Sequence, residues 1–229
     1  MNWLGKRTIA HRGLHLDPEI SENSLLAFMA AIEHGYAVEL DVRLSADGRP
    51  IVFHDKNLFR LTGKRGLVER KNYHELEKLF LLGTNQKIPL LKDVLSLING
   101  KTPILIDIKR GEGKSTIASL LSFYKGDFAI QASDEETIRW FQKNKPDFIL
   151  GRTVNILKLF KAKFNMRSLE EGVDFITYNY KFQFLLGERE NKLPLVAWTV
   201  NSHREMDKAL ALADNVIFEG FLPPTEIHH

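Results

Sequence analysis

Eight short β-rich runs recur along the chain with helical patterns between them, and few architectures accept that rhythm. The runs cover Arg7–Ala10, Ala37–Val42, Pro103–Ile108, Phe128–Gln131, Phe148–Arg152, Asp174–Tyr178, Leu195–Thr199 and Asn215–Phe218. Between the first two, Leu25, Phe28, Met29 and Ile32 repeat at i, i+3, i+4, i+7 after the expected capping residue Asn23. That spacing buries one face of a helix. Parallel strands must be joined by a crossover of roughly a dozen residues or more, usually a helix, so the alternation predicts a parallel sheet. Eight such units predict closure into a (β/α)₈ TIM barrel, an α/β fold. At 229 residues and 44% hydrophobic content the chain is long enough to form one such domain over 1–229.

One run breaks the rhythm. Ile51–His54 follows the second strand after a short link containing Asp47-Gly48, a turn signal with no room for a crossover helix. The expectation is a strand that folds back antiparallel, followed by a small insertion over 55–88 and then the helix Leu91–Ile98. Active sites of such barrels are built from loops at the C-terminal ends of the strands. The insertion is therefore expected to shape substrate choice.

The strand ends carry the chemistry. Glu39 and Asp41 stand two apart between Val38, Leu40 and Val42, so strand alternation projects both carboxylates from one face. Asp107 and Lys109 repeat the spacing in an otherwise apolar run, Ile104-Leu105-Ile106-Asp107-Ile108-Lys109. Buried carboxylates need a cation or a hydrogen-bond network. One reading pairs Lys109 with Asp107 alone. The sharper one converges Glu39, Asp41 and Asp107 on one hard divalent cation, Mg²⁺ or Ca²⁺, which prefers oxygen ligands; a set without cysteine is unlike a zinc site. His11 closes the first strand and His54 the hairpin strand, and imidazoles beside acid are suited to passing protons near neutrality. Arg12 can offer a planar fork of donors to a phosphate, and Trp198 can wall the pocket as readily as it can pack.

Composition narrows the partners. The 32 Lys plus Arg and 29 Asp plus Glu are interspersed, which points away from nucleic acid. No apolar run approaches the roughly 18 residues of a membrane span, and the first residues lack the apolar core of a secretory signal, so a cytoplasmic protein is expected. Without cysteine there are no disulfides.

Taken in order, these residues resemble the glycerophosphodiester phosphodiesterase family. The resemblance runs through HRG at 11–13, ENSLLAF at 22–28, ELDVRLSADGRPIVFHD at 39–55 and LTG at 61–63, then IPLLKDVL from Ile88, IDIK from Ile106 and AWTVN at 197–201. It implies a barrel enzyme that hydrolyses glycerophosphodiesters to glycerol 3-phosphate and an alcohol. It also implies His11 and His54 as acid and base and metal ligation by Glu39 and Asp41; beside such a cation, Arg12 and Lys109 are expected to balance the charge of a bound phosphate. Two positions depart from the family pattern: Asp107 stands where Glu is usual, and Glu219 where the family tends to have Asp. The rival readings are a phospholipase D-like lyase acting on choline phospholipids, which needs an exposed apolar rim that the sequence does not reveal, and a phosphate-binding barrel without catalysis.

Overall fold

A computed structural model describes residues 3–109, 113–156, 167–186 and 193–227. Its strands are β1 (Ile9–Ala10), β2 (Ala37–Leu44), β3 (Pro50–Val52), β4 (Ile104–Ile108), β5 (Phe128–Ala132), β6 (Leu150–Val154), β7 (Phe175–Asn179), β8 (Leu195–Val200) and β9 (Asn215–Phe218). All but β3 run parallel in sequence order, and β1 pairs with both β2 and β9, which closes an eight-stranded barrel. The helices are α1 (Leu25–Glu33), α2 (Phe59–Thr62), α3 (Tyr73–Leu76), α4 (Leu91–Ile98), α5 (Lys114–Ser122), α6 (Glu135–Asn144), α7 (Arg167–Glu170) and α8 (His203–Leu210). No described helix is long and apolar enough to cross a membrane.

Side-chain alternation gives the barrel two chemically different surfaces. Along β2 and β4, Val38, Leu40, Val42, Ile104, Ile106 and Ile108 turn outward into the large core beneath α1, α4, α5 and α6. Their neighbours turn inward, where Ile9, Ala37, Leu105, Ala129, Phe175, Val196 and Ile217 form an apolar floor. Gly151 belongs to this interior because a Cβ there would stand 2.1 Å from the Phe175 ring. One step toward the C-terminal ends of the strands the interior becomes polar: Glu39, Asp107, Gln131 and Thr177 are all buried.

β3 pairs antiparallel with β2, placing Val42 opposite Val52 and Leu44 opposite Pro50. Residues 55–88 then hold α2, α3 and a 3₁₀ turn around their own apolar cluster of Leu58, Val68, Leu76, Leu81 and Ile88. Three local expectations are corrected. The hairpin strand ends at Val52, so His54 lies two residues past it; the Phe53 amide still bonds to the Asp41 carbonyl at 2.9 Å, after which the chain turns away. Strand β1 is only two residues, because the Arg7 amide is drawn into a turn by the Trp3 carbonyl at 2.9 Å. The cap of α1 is Ser24, whose Oγ accepts from the Ala27 amide at 3.1 Å; Asn23 is held at φ 56° with its side chain turned to Asp41.

Candidate active site

Strand register brings the carboxylates together. Asp41 and Asp107 are paired positions on adjacent parallel strands, and Glu39 precedes Asp41 by two on the same face. Carboxylate oxygens of Glu39, Asp41 and Asp107 lie within 4.8 Å of one another, and the three residues are 2%, 1% and 8% exposed. Such concentrated buried acid is unstable without compensation. Lys109 supplies part of it: its Nζ lies 2.7 Å from Asp41 Oδ1 and also binds Asp107 Oδ2. Arg12 supplies more, with Nε 3.1 Å from Asp41 Oδ2 and its backbone amide on Glu39 Oε2 at 3.0 Å. Asn23 completes the shell, its Nδ2 donating to Asp41 Oδ2 at 2.8 Å.

The balance is uneven. Burial alone would push Asp41 up, but Lys109 and Arg12 hold it well below the carboxylate range. Burial and the neighbouring Asp41 charge push Glu39 well up, and burial raises Asp107 despite Lys109. The set therefore holds more acid than Lys109 and Arg12 can keep ionised by themselves. An all-oxygen donor set with surplus acid fits a hard divalent cation.

The loop after β1 is shaped for this purpose. Arg12 is left-handed at φ 56°, a conformation uncommon outside glycine and costing on the order of 1–3 kcal/mol. The amide bond to Glu39 and the Asn23 amide bond to the Arg12 carbonyl at 2.8 Å hold it there. Gly13 follows at φ +81°, where a Cβ would stand 2.7 Å from the Ala27 backbone; only glycine lets this loop lie so close to α1.

Each histidine has a carboxylate on Nδ1. Across the seam that closes the barrel, Ala10 is in register with Phe218, so the next residues, His11 and Glu219, meet, with Nδ1 2.6 Å from Oε2. His11 Nε2 is then 4.0 Å from Glu39 Oε2. His54 Nδ1 is 2.7 Å from Oδ1 of its own neighbour Asp55. Burial would lower His11, but the Glu219 hydrogen bond and the Glu39 charge carry it above its usual range, while Glu219 is held down at about 2 by the same bond. Burial lowers His54, although the charge of Asp41 acts against it. Asp55 is held at about 2, first by Arg60 and only then by His54.

Of the residues singled out in the sequence, His11, His54, Arg12, Glu39, Asp41, Asp107 and Lys109 meet at this mouth. Trp198 is half-buried and packs against the apolar floor, and its buried Nε1 has no hydrogen-bond partner among the described residues. Arg12 and Lys109 each face carboxylates within the protein. Sequence reasoning assigned no role to Glu22, Asp55 or Arg60, pointed to Asn23 only as a helix cap, and marked Glu219 only as a departure from the family pattern. For Asp55, adjacency to His54 was a signal; for Glu219, only closure of the barrel brings a residue 208 positions away onto His11. A cavity of about 470 Å³ lies between the β2–β3 hairpin, the insertion and the start of α5, and none of the clustered residues lines it. Its lining includes Arg43, whose Nε donates to the His54 carbonyl at 2.7 Å.

The model of the Glycerophosphoryl diester phosphodiesterase family matches residues 11–145, which contain every element of the mouth except Glu219. The chain belongs to this family. A glycerophosphodiester phosphodiesterase of Caldanaerobacter subterraneus subsp. tengcongensis is 27% identical over 225 residues, covering 91% of this chain and 92% of that protein. One from Bacillus altitudinis is 37% identical over 110 residues, an alignment covering 45% of this chain and 44% of its own length. Among solved structures, an Oleispira antarctica phosphodiesterase in complex with the product sn-glycerol-3-phosphate superposes with a TM-score of 0.78 at 20% identity, covering 93% of this chain and 92% of that one. Family membership and the barrel together make this chain a phosphoric diester hydrolase.

Proposed function

We propose that the protein hydrolyses glycerophosphodiesters to glycerol 3-phosphate and an alcohol, with one divalent cation, Mg²⁺ or Ca²⁺, held by Glu39, Asp41 and Asp107. The observation that carries the reading is the convergence of those carboxylates at a mouth where two histidines each rest on a carboxylate. The product bound to the Oleispira antarctica phosphodiesterase supports the substrate class. When bound, such a cation withdraws charge from the phosphate oxygens, a contribution of several kcal/mol in comparable sites.

The chain's own groups do the rest. Lys109 and Arg12 add positive charge beside the phosphate and keep Asp41 ionised. His54 presents Nε2 as the base: its Nδ1 proton is committed to Asp55, whose charge Arg60 already shares, so the ring is held neutral. His11 faces Glu219, which among the described residues forms no second salt bridge; the ring is held protonated and gives its proton from Nε2 to the departing alkoxide. The attacking oxygen is that of water or of the substrate's own neighbouring glycerol hydroxyl, the latter passing through a cyclic phosphate. Phosphorus NMR during turnover of a slowed variant separates the two routes, since only the internal one shows a cyclic species.

His11→Ala and His54→Ala each remove most turnover of glycerophosphocholine while circular dichroism stays unchanged; near wild-type turnover by either variant would contradict the assignment. One observation favours a second substrate class. The apolar rim that the sequence did not reveal is present on the insertion, where Phe59, Phe80 and Leu82 are 60%, 53% and 57% exposed. Such a rim suits an acylated substrate or a lipid surface. Turnover of lysophosphatidylcholine in vesicles well above that of glycerophosphocholine would establish it.

A further inference from the structure

The insertion is anchored to the chemistry through one side chain. Arg60 lies on the four-residue helix α2 and is gripped by two carboxylates at once. Its Nη1 and Nη2 donate to Glu22 Oε2 and Oε1 at 2.7 and 2.8 Å, and its Nε and Nη2 donate to Asp55 Oδ2 and Oδ1 at 2.6 and 2.9 Å. Each partner then leads to the mouth. Glu22 Oε1 receives Arg12 Nη1 at 2.6 Å, and Arg12 lies on Asp41. Asp55 Oδ1 is bound to His54 Nδ1. The result is an unbroken chain of contacts, Asp41, Arg12, Glu22, Arg60, Asp55, His54, alternating in charge from Asp41 to Asp55, with both ends in the reaction chamber and Arg60 within it.

We propose that Arg60 is a positioning residue for catalysis: by holding Asp55 and Glu22 together it fixes the ring orientation and tautomer of His54 and keeps Arg12 on Asp41. Arg60 hydrogen-bonds to neither imidazole nor to the three clustered carboxylates, so it acts through its two partners. A planar guanidinium has five donors in a fixed fork, enough to hold both oxygens of each of two carboxylates, as Arg60 does here; a lysine ammonium has three donors at a single point and can bridge two carboxylates but not hold all four oxygens. Two alternatives for the arginine are thereby separated. As a mere surface ion pair, with its side chain 47% exposed, it contributes little stability and nothing to rate. As a positioning residue, its loss leaves the fold intact and disturbs the ring that moves the proton, an effect of about 10- to 100-fold for comparable supporting hydrogen bonds. The insertion then serves as a brace for the chemistry as well as a border of the mouth.

The kinetic arm of the test rests on the function proposed above, and the spectroscopic arm does not. In the full chain labelled with ¹⁵N-histidine, two-bond proton–nitrogen correlation spectra above neutral pH report which ring nitrogen of His54 carries the proton. The wild type is expected to hold His54 in the Nδ1–H tautomer, and Arg60→Ala to release it into a mixture. In the same variant, kcat on glycerophosphocholine falls about 10- to 100-fold with KM little changed. Millimolar guanidinium restores part of the loss, and Arg60→Lys stays closer to Arg60→Ala than to the wild type. Should Arg60→Ala fail to fold, Glu22→Gln cuts only the other limb and is expected to lower kcat while leaving the His54 tautomer in place. Unchanged His54 resonances in Arg60→Ala overturn the proposal. So does a loss of rate that follows thermal melting alone and is not rescued by guanidinium. If the wild type hydrolyses no glycerophosphodiester, the proposed function falls, and the tautomer measurement decides the role of Arg60 by itself.

Discussion

The two histidines of the mouth have the same first partner and different second ones. His11 rests on Glu219, and His54 on Asp55. Glu219 keeps its charge for His11, whereas Asp55 gives most of its charge to Arg60. The lesson is that a carboxylate on an imidazole does not by itself define an acid or a base; what neutralises the carboxylate does. At one position the ring is driven above its ordinary 6.5, and at the other burial wins and the ring falls below it. In the reaction proposed above, this difference splits two like side chains into a proton donor and a proton acceptor.

The comparison can be broken most forcefully by removing a ring. His11→Ala and His54→Ala should each lower kcat about 10²- to 10⁴-fold, and if the roles differ as described, an alcohol with a good leaving group rescues His11→Ala and not His54→Ala. Steady-state turnover of nitrophenyl and choline diesters side by side checks this. Equal rescue of both variants would leave the split without support.

A pH profile sharpens the comparison further. For kcat/KM, His54 must be neutral and His11 protonated. Activity therefore rises as pH increases through the lowered His54 pKa and falls as it increases through the raised His11 pKa, giving a plateau that spans 6.5. Glu219→Gln removes the hydrogen-bonded charge that raises His11, so the upper limb should move to lower pH while the lower limb stays fixed. Movement of the lower limb instead would reverse the assignment of acid and base.

These features differ in how far the sequence exposes them. The barrel was legible because alternation at two and at 3.6 residues is written locally, and the two-residue spacings of Glu39 with Asp41 and Asp107 with Lys109 depend only on strand geometry. Asp41 and Asp107 meet because their strands are neighbours in order. Glu219 and Arg60 were illegible for a different reason. Their roles depend on closure and on the fold of an insertion, and a contact across 208 residues, or across 38 residues that include α1, β2 and β3, leaves no periodic trace. Asn23 was misread as a helix cap because Asn and Ser are nearly equal as caps; the carboxylate of Asp41 draws Asn23 away and leaves the cap to Ser24.

That misreading supplies the smallest test. Ser24→Ala should cost about 1 kcal/mol of stability by urea titration and leave kcat nearly unchanged. Asn23→Ala should do the reverse, lowering kcat with a smaller loss of stability, since it removes a donor from Asp41. Equal stability losses with no kinetic difference would return Asn23 to a purely structural role.

The central claim is that a buried trio of carboxylates holds the cation on which glycerophosphodiester hydrolysis depends. Phosphorus NMR of glycerophosphocholine with the wild-type chain tests it directly. In excess chelator the substrate signal should persist, and after Mg²⁺ or Ca²⁺ is restored it should convert one for one into glycerol 3-phosphate. Full turnover in excess chelator, or none with either ion, would contradict the account.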